Sequence, residues 1–121
     1  MASAPTTPPA DGEKPAAPIR FTLGPDTAAV DALVLTVAGE VDFTMVAALL
    51  DAGRHALARS PSVLVIEASG IGFLDVGGYR ALVKLSVAAA AQGCVLELRS
   101  PSYPVRRLLE LLPTSALPTS S

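Results

Sequence analysis

Positions 63–75 read VLVIEASGIGFLD, and this stretch decides the fold class. Its first four residues, Val63 to Ile66, form a continuous apolar run. Such a run is typical of a strand covered on both faces, as in parallel sheets. The positions from Glu67 to Leu74 then predict a loop, and Asp75 can cap a helix that follows it. The stretch therefore indicates a strand–loop–helix unit of an α/β protein.

The chain downstream of Asp75 repeats the alternation of helix and strand. A second helix is predicted up to Gly93, with an inward face of Tyr79, Leu82, Val83, Ser86 and Ala90. The run from Cys94 to Leu98 predicts a further strand. A third helix starts at Pro101 or Pro104, because proline suits the first helical turn. Its inward positions are Val105, Leu108, Leu109 and Leu112.

Upstream, two short strands precede the first helix. The alternating residues 19–23 predict an edge strand, and the apolar residues 33–37 predict a second strand that Gly39 stops. Asp42 or Thr44 can cap the helix, which Ser60-Pro61 ends because the residue before a proline avoids helical geometry. The inward face of this helix is predicted at Val46, Leu49, Leu50, Gly53 and Leu57.

These elements follow the order β-β-α-β-α-β-α and predict a mixed sheet of four to five strands with helices packed on it. Residues 1–18 are rich in proline and alanine and predict a disordered tail, so the domain is expected to span 19–117. Residues 118–121 are predicted to be a short C-terminal tail. Whether a closing strand forms there is left open, because Pro118 cannot donate a ladder hydrogen bond.

Composition argues against several classes of function. The chain has 9 basic and 11 acidic residues, so a net charge of −2 gives no reason to expect nucleic acid or an anionic membrane as partner. No apolar run reaches the roughly 18 residues that cross a bilayer. The one cysteine, Cys94, cannot form a disulfide within the chain, which suits a reducing cytosol. A soluble cytoplasmic protein is therefore expected.

Residues that could carry chemistry are isolated. His55 is the only histidine and has no predicted partner, so a solvated surface residue is expected rather than a catalytic one. Cys94 opens a predicted strand and is expected to be a small core residue, with a redox sensor as the alternative. The glycines at 70, 72 and 77 lack the spacing of a dinucleotide fingerprint. We predict no enzyme activity and no cofactor.

Three carboxylates are predicted to lie near one another at one edge of the sheet. Glu40, Asp42 and Asp75 stand where strands pass into helices. Three carboxylates could hold a hard cation, but acidic residues in these places more often cap helices. Capping is the preferred interpretation, and no metal site is predicted.

Three stretches in this order resemble the STAS family of anti-sigma factor antagonists. Gly39-Glu40-Val41-Asp42 is similar to the segment Gly-Glu-Leu-Asp that ends the family's second strand. Residues 63–75 resemble its central strand and loop, and residues 101–111 resemble its third helix. The resemblance covers residues 19–112. It implies a STAS fold, an anti-sigma factor of the kinase type as partner, and a monomer or weak dimer.

In this family the loop normally reads Asp-Ser-Ser-Gly, and the partner kinase phosphorylates the first serine. The matching residues here are Asp75, Val76, Gly77 and Gly78, so the position of the phosphoacceptor is Val76 and neither hydroxyl is present. The resemblance implies a partner-binding surface of Asp42, Asp75, Val76, Gly77, Gly78 and Tyr79. If this turn is exposed, Gly78→Arg should abolish docking and leave thermal stability nearly unchanged.

Two other functions remain open at this stage. STAS domains without the serine switch also serve as accessory subunits of lipid-uptake transporters or of stress-signalling complexes. A redox or small-ligand sensor, using Cys94 or a pocket beside Asp75, is the third hypothesis.

Overall fold

A computed structural model of the chain describes residues 19–27, 29–112 and 117–120. Its centre is a five-stranded mixed sheet in which spatial order follows chain order. Strands β1 and β2 pair antiparallel, and the pairs from β2 to β5 are parallel. The strands are β1 Arg20–Pro25, β2 Ala32–Val41, β3 Val63–Leu74, β4 Val95–Arg99 and β5 Thr119–Ser120. The predicted α/β class and mixed sheet are confirmed.

Three α-helices form the connections between the parallel strands, as the sequence predicts. They are α1 Val46–Leu57, α2 Val76–Ala91 and α3 Tyr103–Leu111, and a 3-10 turn, Phe43–Met45, precedes α1. Parallel neighbours need such crossovers because a tight turn can only join antiparallel strands. None of the helices in the described ranges is long and apolar enough to span a bilayer.

The core lies where α1 and α2 pack on the sheet and on each other. Its strand residues include Leu64 and Ile66, both fully buried. Gly53 of α1 allows close approach to α2, since an added Cβ there would lie 2.5 Å from Leu85 Cδ1. On α2 the predicted residues Tyr79 and Leu82 are buried. Leu85 and Ala89 complete that face, whereas the predicted Ala90 is exposed.

The central strand is longer than predicted. Residues 67–74 continue β3 instead of forming a loop, because Ala68, Ile71 and Leu74 all bury their side chains. Strand β2 likewise runs on through Gly39, which pairs with Ile71. Gly39 has φ of 112°, a conformation open to glycine, and the register shifts beside it. The glycine therefore marks an irregularity within the strand and does not end it.

A closing strand is also present, contrary to the predicted tail at 118–121. Thr119 and Ser120 pair parallel with Leu98 and Arg99 of β4. The missing N–H of Pro118 does not matter, because its carbonyl oxygen accepts from Leu98 N at 2.8 Å. The predicted N-terminal tail, residues 1–18, lies outside the described residues.

Candidate partner-docking site

The carboxyl ends of β2 and β3 meet at one edge of the sheet. Val41 pairs with Leu74, so the segments that leave these two strands start side by side. The 3-10 turn follows β2 directly, and α2 begins directly after β3. The predicted site residues 42 and 75–77 are thereby brought together, although 32 residues lie between Asp42 and Asp75 in the sequence.

Asp75 joins these two segments. Its Oδ1 accepts from the backbone N–H of Gly78 at 2.8 Å and caps α2. Its Oδ2 accepts from the backbone N–H of Phe43 at 3.0 Å, so the same carboxylate also fixes the 3-10 turn. Two backbone donors at a helix entrance are satisfied by one side chain, which makes this edge a rigid support.

Asp42 caps the 3-10 turn. It accepts from Thr44 N at 2.9 Å and also from the Thr44 hydroxyl. That hydroxyl and then the backbone N–H lower the pKa of Asp42, so this cap is fully formed above pH 3.8 and is lost as pH falls through the lower pKa of the folded state. The capping interpretation is therefore confirmed for Asp42 and Asp75, whereas Glu40 is an exposed residue of β2 that pairs with Phe73. No cluster of three metal-binding side chains occurs in the described ranges.

Apolar side chains stand exposed around these caps. Phe43 is 75% exposed and Val76 is 45% exposed. A Cβ added at Gly77 would lie 3.6 Å from Phe43 Cβ, so the phenyl-bearing residue stands against the first turn of α2. We define the candidate docking surface as Asp42, Phe43, Asp75, Val76 and Gly77. Exposed apolar residues on a rigid support are typical of interaction surfaces.

Sequence reasoning missed the aromatic part of this edge. Phe43 was not among the predicted site residues, and neither was Phe73, which is 47% exposed near the end of β3. A signal did exist: the chain has only five aromatic residues, and Phe43 directly follows a capping aspartate. An aromatic residue next to a helix cap is a candidate contact, because the cap fixes its backbone.

The predicted exposed turn is wrong at its last two residues. Tyr79 is only 9% exposed and belongs to the core. Gly78 is buried as well: an added Cβ would lie 2.6 Å from Leu74 Cδ1 and 3.0 Å from the carbonyl oxygen of Val41. Glycine is needed at 78 for the close approach of α2 to the ends of β2 and β3. The expectation that Gly78→Arg leaves stability unchanged is therefore withdrawn.

The other candidate residues lie away from this edge. Cys94 is buried at the start of β4, on the opposite edge of the sheet, and burial raises the pKa of its thiol. A buried thiol with a raised pKa is a poor redox sensor. His55 is exposed on the last turns of α1. Gly70 and Gly72 are strand residues of β3, which does not fit a phosphate-binding loop.

Comparisons with known proteins agree with this architecture. The structure resembles an anti-sigma factor antagonist from Mycobacterium paratuberculosis, with 26% identity, a TM-score of 0.64 and coverage of 78% of this chain and 77% of that one. It also resembles the phosphorylated form of the Bacillus cell fate determinant SpoIIAA, with 16% identity, a TM-score of 0.61 and coverage of 84% and 91%. A variant of RsbS from Moorella thermoacetica matches at 20% identity, a TM-score of 0.63 and coverage of 83% and 85%.

The family itself follows from the sequence. No curated protein matches the chain. A family model described as "Mlab, STAS domain" matches residues 26–117, which include every helix and β2 to β4. The match, the sheet order and the capped entrance of α2 lead to one conclusion: the chain belongs to the STAS domain family.

Proposed function

We propose that this STAS domain is a non-enzymatic anti-sigma factor antagonist of the bacterial cytoplasm. It binds a kinase-type anti-sigma factor through the candidate docking surface and so releases a sigma factor. The observation that carries the proposal is the exposed Phe43 and Val76 on a support fixed by Asp75. The similarity to the mycobacterial anti-sigma factor antagonist, at 26% identity, supports it.

The residues at the head of α2 imply that docking is constitutive. A phosphate on a hydroxyl there would add a charge of about −1.5 to −2 beside Asp75, and an apolar partner face could then dock only by desolvating that charge. Val76 and Gly77 have no hydroxyl to carry it. Binding should therefore not respond to kinase activity at this position.

The docking surface can be tested by removing its apolar contacts. We expect Phe43→Ser and Val76→Glu each to weaken binding to the cognate anti-sigma factor by at least about tenfold, because central apolar residues dominate interface energies. The matched control is Val95→Glu, which alters a 56%-exposed valine at the amino end of β4, away from this surface, and should bind normally. Titration calorimetry against the kinase-type anti-sigma factors of the same genome measures the affinities.

Two results of that experiment would contradict the proposal. One is full affinity in Phe43→Ser and Val76→Glu while both variants remain folded. The other is the failure of the folded wild-type protein to bind any of these anti-sigma factors.

Because only the hydroxyl at position 76 is missing for phosphorylation there, adding a serine should restore control of binding by phosphorylation. We expect Val76→Ser to accept a phosphate from the partner kinase and ATP, and to lose binding as it does so, because a serine at the first position of α2 presents its hydroxyl beside Asp75. The wild type should remain unmodified at residues 75–78 and bound. Phosphopeptide mass spectrometry with a parallel binding assay checks both. Unchanged affinity of the phosphorylated variant would argue against docking at this surface.

A second candidate function is an accessory subunit of a lipid-uptake transporter or a stress-signalling complex. The observation in its favour is the same hydroxyl-free pair, Val76 and Gly77, since such assemblies do not need the serine switch. The neighbouring genes separate the two functions: a transporter ATPase or permease favours the accessory subunit, and an anti-sigma kinase favours the antagonist.

A further inference from the structure

One face of α2 continues the candidate docking surface along the helix. Val76, Arg80 and Lys84 follow one another at intervals of four residues and are all exposed. Residues four apart are neighbours on a helix surface, with Cβ atoms about 6 Å apart. The cationic groups of Arg80 and Lys84 therefore form a basic flank, one and two turns away from Val76.

Among the residues that the structure describes, no carboxylate pairs with this basic flank. Within the described residues, Arg99 pairs with Asp26 and Arg107 pairs with Glu110, but neither Arg80 nor Lys84 takes part in an ion pair or side-chain hydrogen bond. The two acidic residues at the helix entrance, Asp42 and Asp75, accept hydrogen bonds from backbone N–H groups and the Thr44 hydroxyl instead. The described part of the chain therefore leaves the positive charge of the flank open to another molecule.

We infer that the protein partner carries carboxylates that meet Arg80 and Lys84 beside the apolar group that covers Phe43 and Val76. This inference rests on the proposed function and adds the chemistry of the partner's face. Complementary charges at the rim of an interface steer the encounter and fix its orientation, while the apolar centre provides most of the affinity. The acidic flank of the partner therefore selects which protein docks and how it is oriented.

A charge-reversal experiment tests the basic flank. We expect Arg80→Glu/Lys84→Glu to weaken binding of the anti-sigma factor about tenfold, chiefly through slower association. The difference from the wild type should shrink between about 50 mM and about 300 mM salt, because salt screens exposed charges. Stopped-flow or surface-based kinetics at both salt concentrations provides the readout.

The matched control reverses two cations outside the flank. Arg54→Glu/Arg59→Glu makes the same change in net charge near the far end of α1, where both residues are exposed. It should bind like the wild type apart from a small general effect of net charge. Equal loss in the two double variants would overturn the inference, since the effect would then be one of overall charge.

The remaining outcomes are also decisive. Normal binding by Arg80→Glu/Lys84→Glu, with binding lost in Phe43→Ser, would overturn the inference that the partner presents carboxylates to Arg80 and Lys84. It would leave the proposed function intact. If the wild type binds no anti-sigma factor, the inference fails together with the proposed function. Self-association of the wild type in sedimentation experiments, abolished by Arg80→Glu/Lys84→Glu, would overturn it by making a second copy the occupant.

Discussion

Gly78→Arg is expected to destabilise the domain by about 4 kcal/mol or more, which is a large part of the stability of a small domain. The added Cβ would already lie 2.6 Å from Leu74 Cδ1 and 2.9 Å from Val41 Cγ1. The rest of the side chain would bring a charge into this packed junction, where overpacking and desolvation both oppose folding. Thermal unfolding followed by circular dichroism should show a fall in Tm of roughly 15 °C or more.

The preceding glycine offers a matched control. A Cβ at Gly77 would be tight only against Asp75 Oδ1, at 3.3 Å, which a small shift of that side chain can relieve, and it would meet Phe43 Cβ at an ordinary contact distance of 3.6 Å. We expect Gly77→Arg to change stability by no more than about 1 kcal/mol and to block the candidate docking surface. Comparable stability of the two arginine variants would mean that α2 does not approach the strand ends as described.

Leu64→Asp is expected to leave no folded protein at 25 °C. Leu64 is fully buried near the start of β3 and lies between Leu33 of β2 and Leu96 of β4. Shortening a buried leucine costs about 2–5 kcal/mol, and an unpaired carboxylate in an apolar environment adds several kcal/mol more. The sum is comparable with the whole stability of a domain of this size. Far-ultraviolet circular dichroism and one-dimensional proton NMR spectra report the loss.

The neighbouring strand provides the control for this prediction. Val95 of β4 pairs with Val63, next to Leu64, but is 56% exposed. Val95→Asp should therefore fold with a cost of about 1 kcal/mol. A cooperative, native-like unfolding transition in Leu64→Asp would show that β3 is not the central strand.

The order of the elements could be read from local patterns. The apolar run at residues 63–66 indicates a strand, and the apolar residues at helical spacing after Asp75 indicate a helix. Both patterns come from residues close together in sequence. The caps were equally accessible, since Asp75 precedes the helix that it caps. The residues at which the strands end could not be predicted from the sequence. Residues 67–74 interrupt the apolar run with two glycines, but pairing with β2 keeps them extended and buries Ala68, Ile71 and Leu74.

In the candidate site, too, some features could be predicted from the sequence and others could not. Position 76 and its missing hydroxyl were evident from the sequence by resemblance, whereas the role of Phe43 was not, because its contact with α2 joins segments more than 30 residues apart. The two adjacent glycines carried no local signal that separates them. Only the approach of Val41 and Leu74 to Gly78 does so: an added Cβ would clash with them at 78, whereas at 77 its tightest neighbour is the tip of the Asp75 side chain.

By itself, the sequence determined the class of the fold, the positions of the helices and the lack of a hydroxyl at the head of α2, since each of these depends on residues within a few turns. The tertiary structure alone decided which residues of that turn face solvent, how far β3 extends and whether a fifth strand closes the sheet. Those features depend on pairing and packing between segments that are distant in sequence. Whether a residue is buried at such a contact depends on which segment packs against it, and the residue type alone does not decide this.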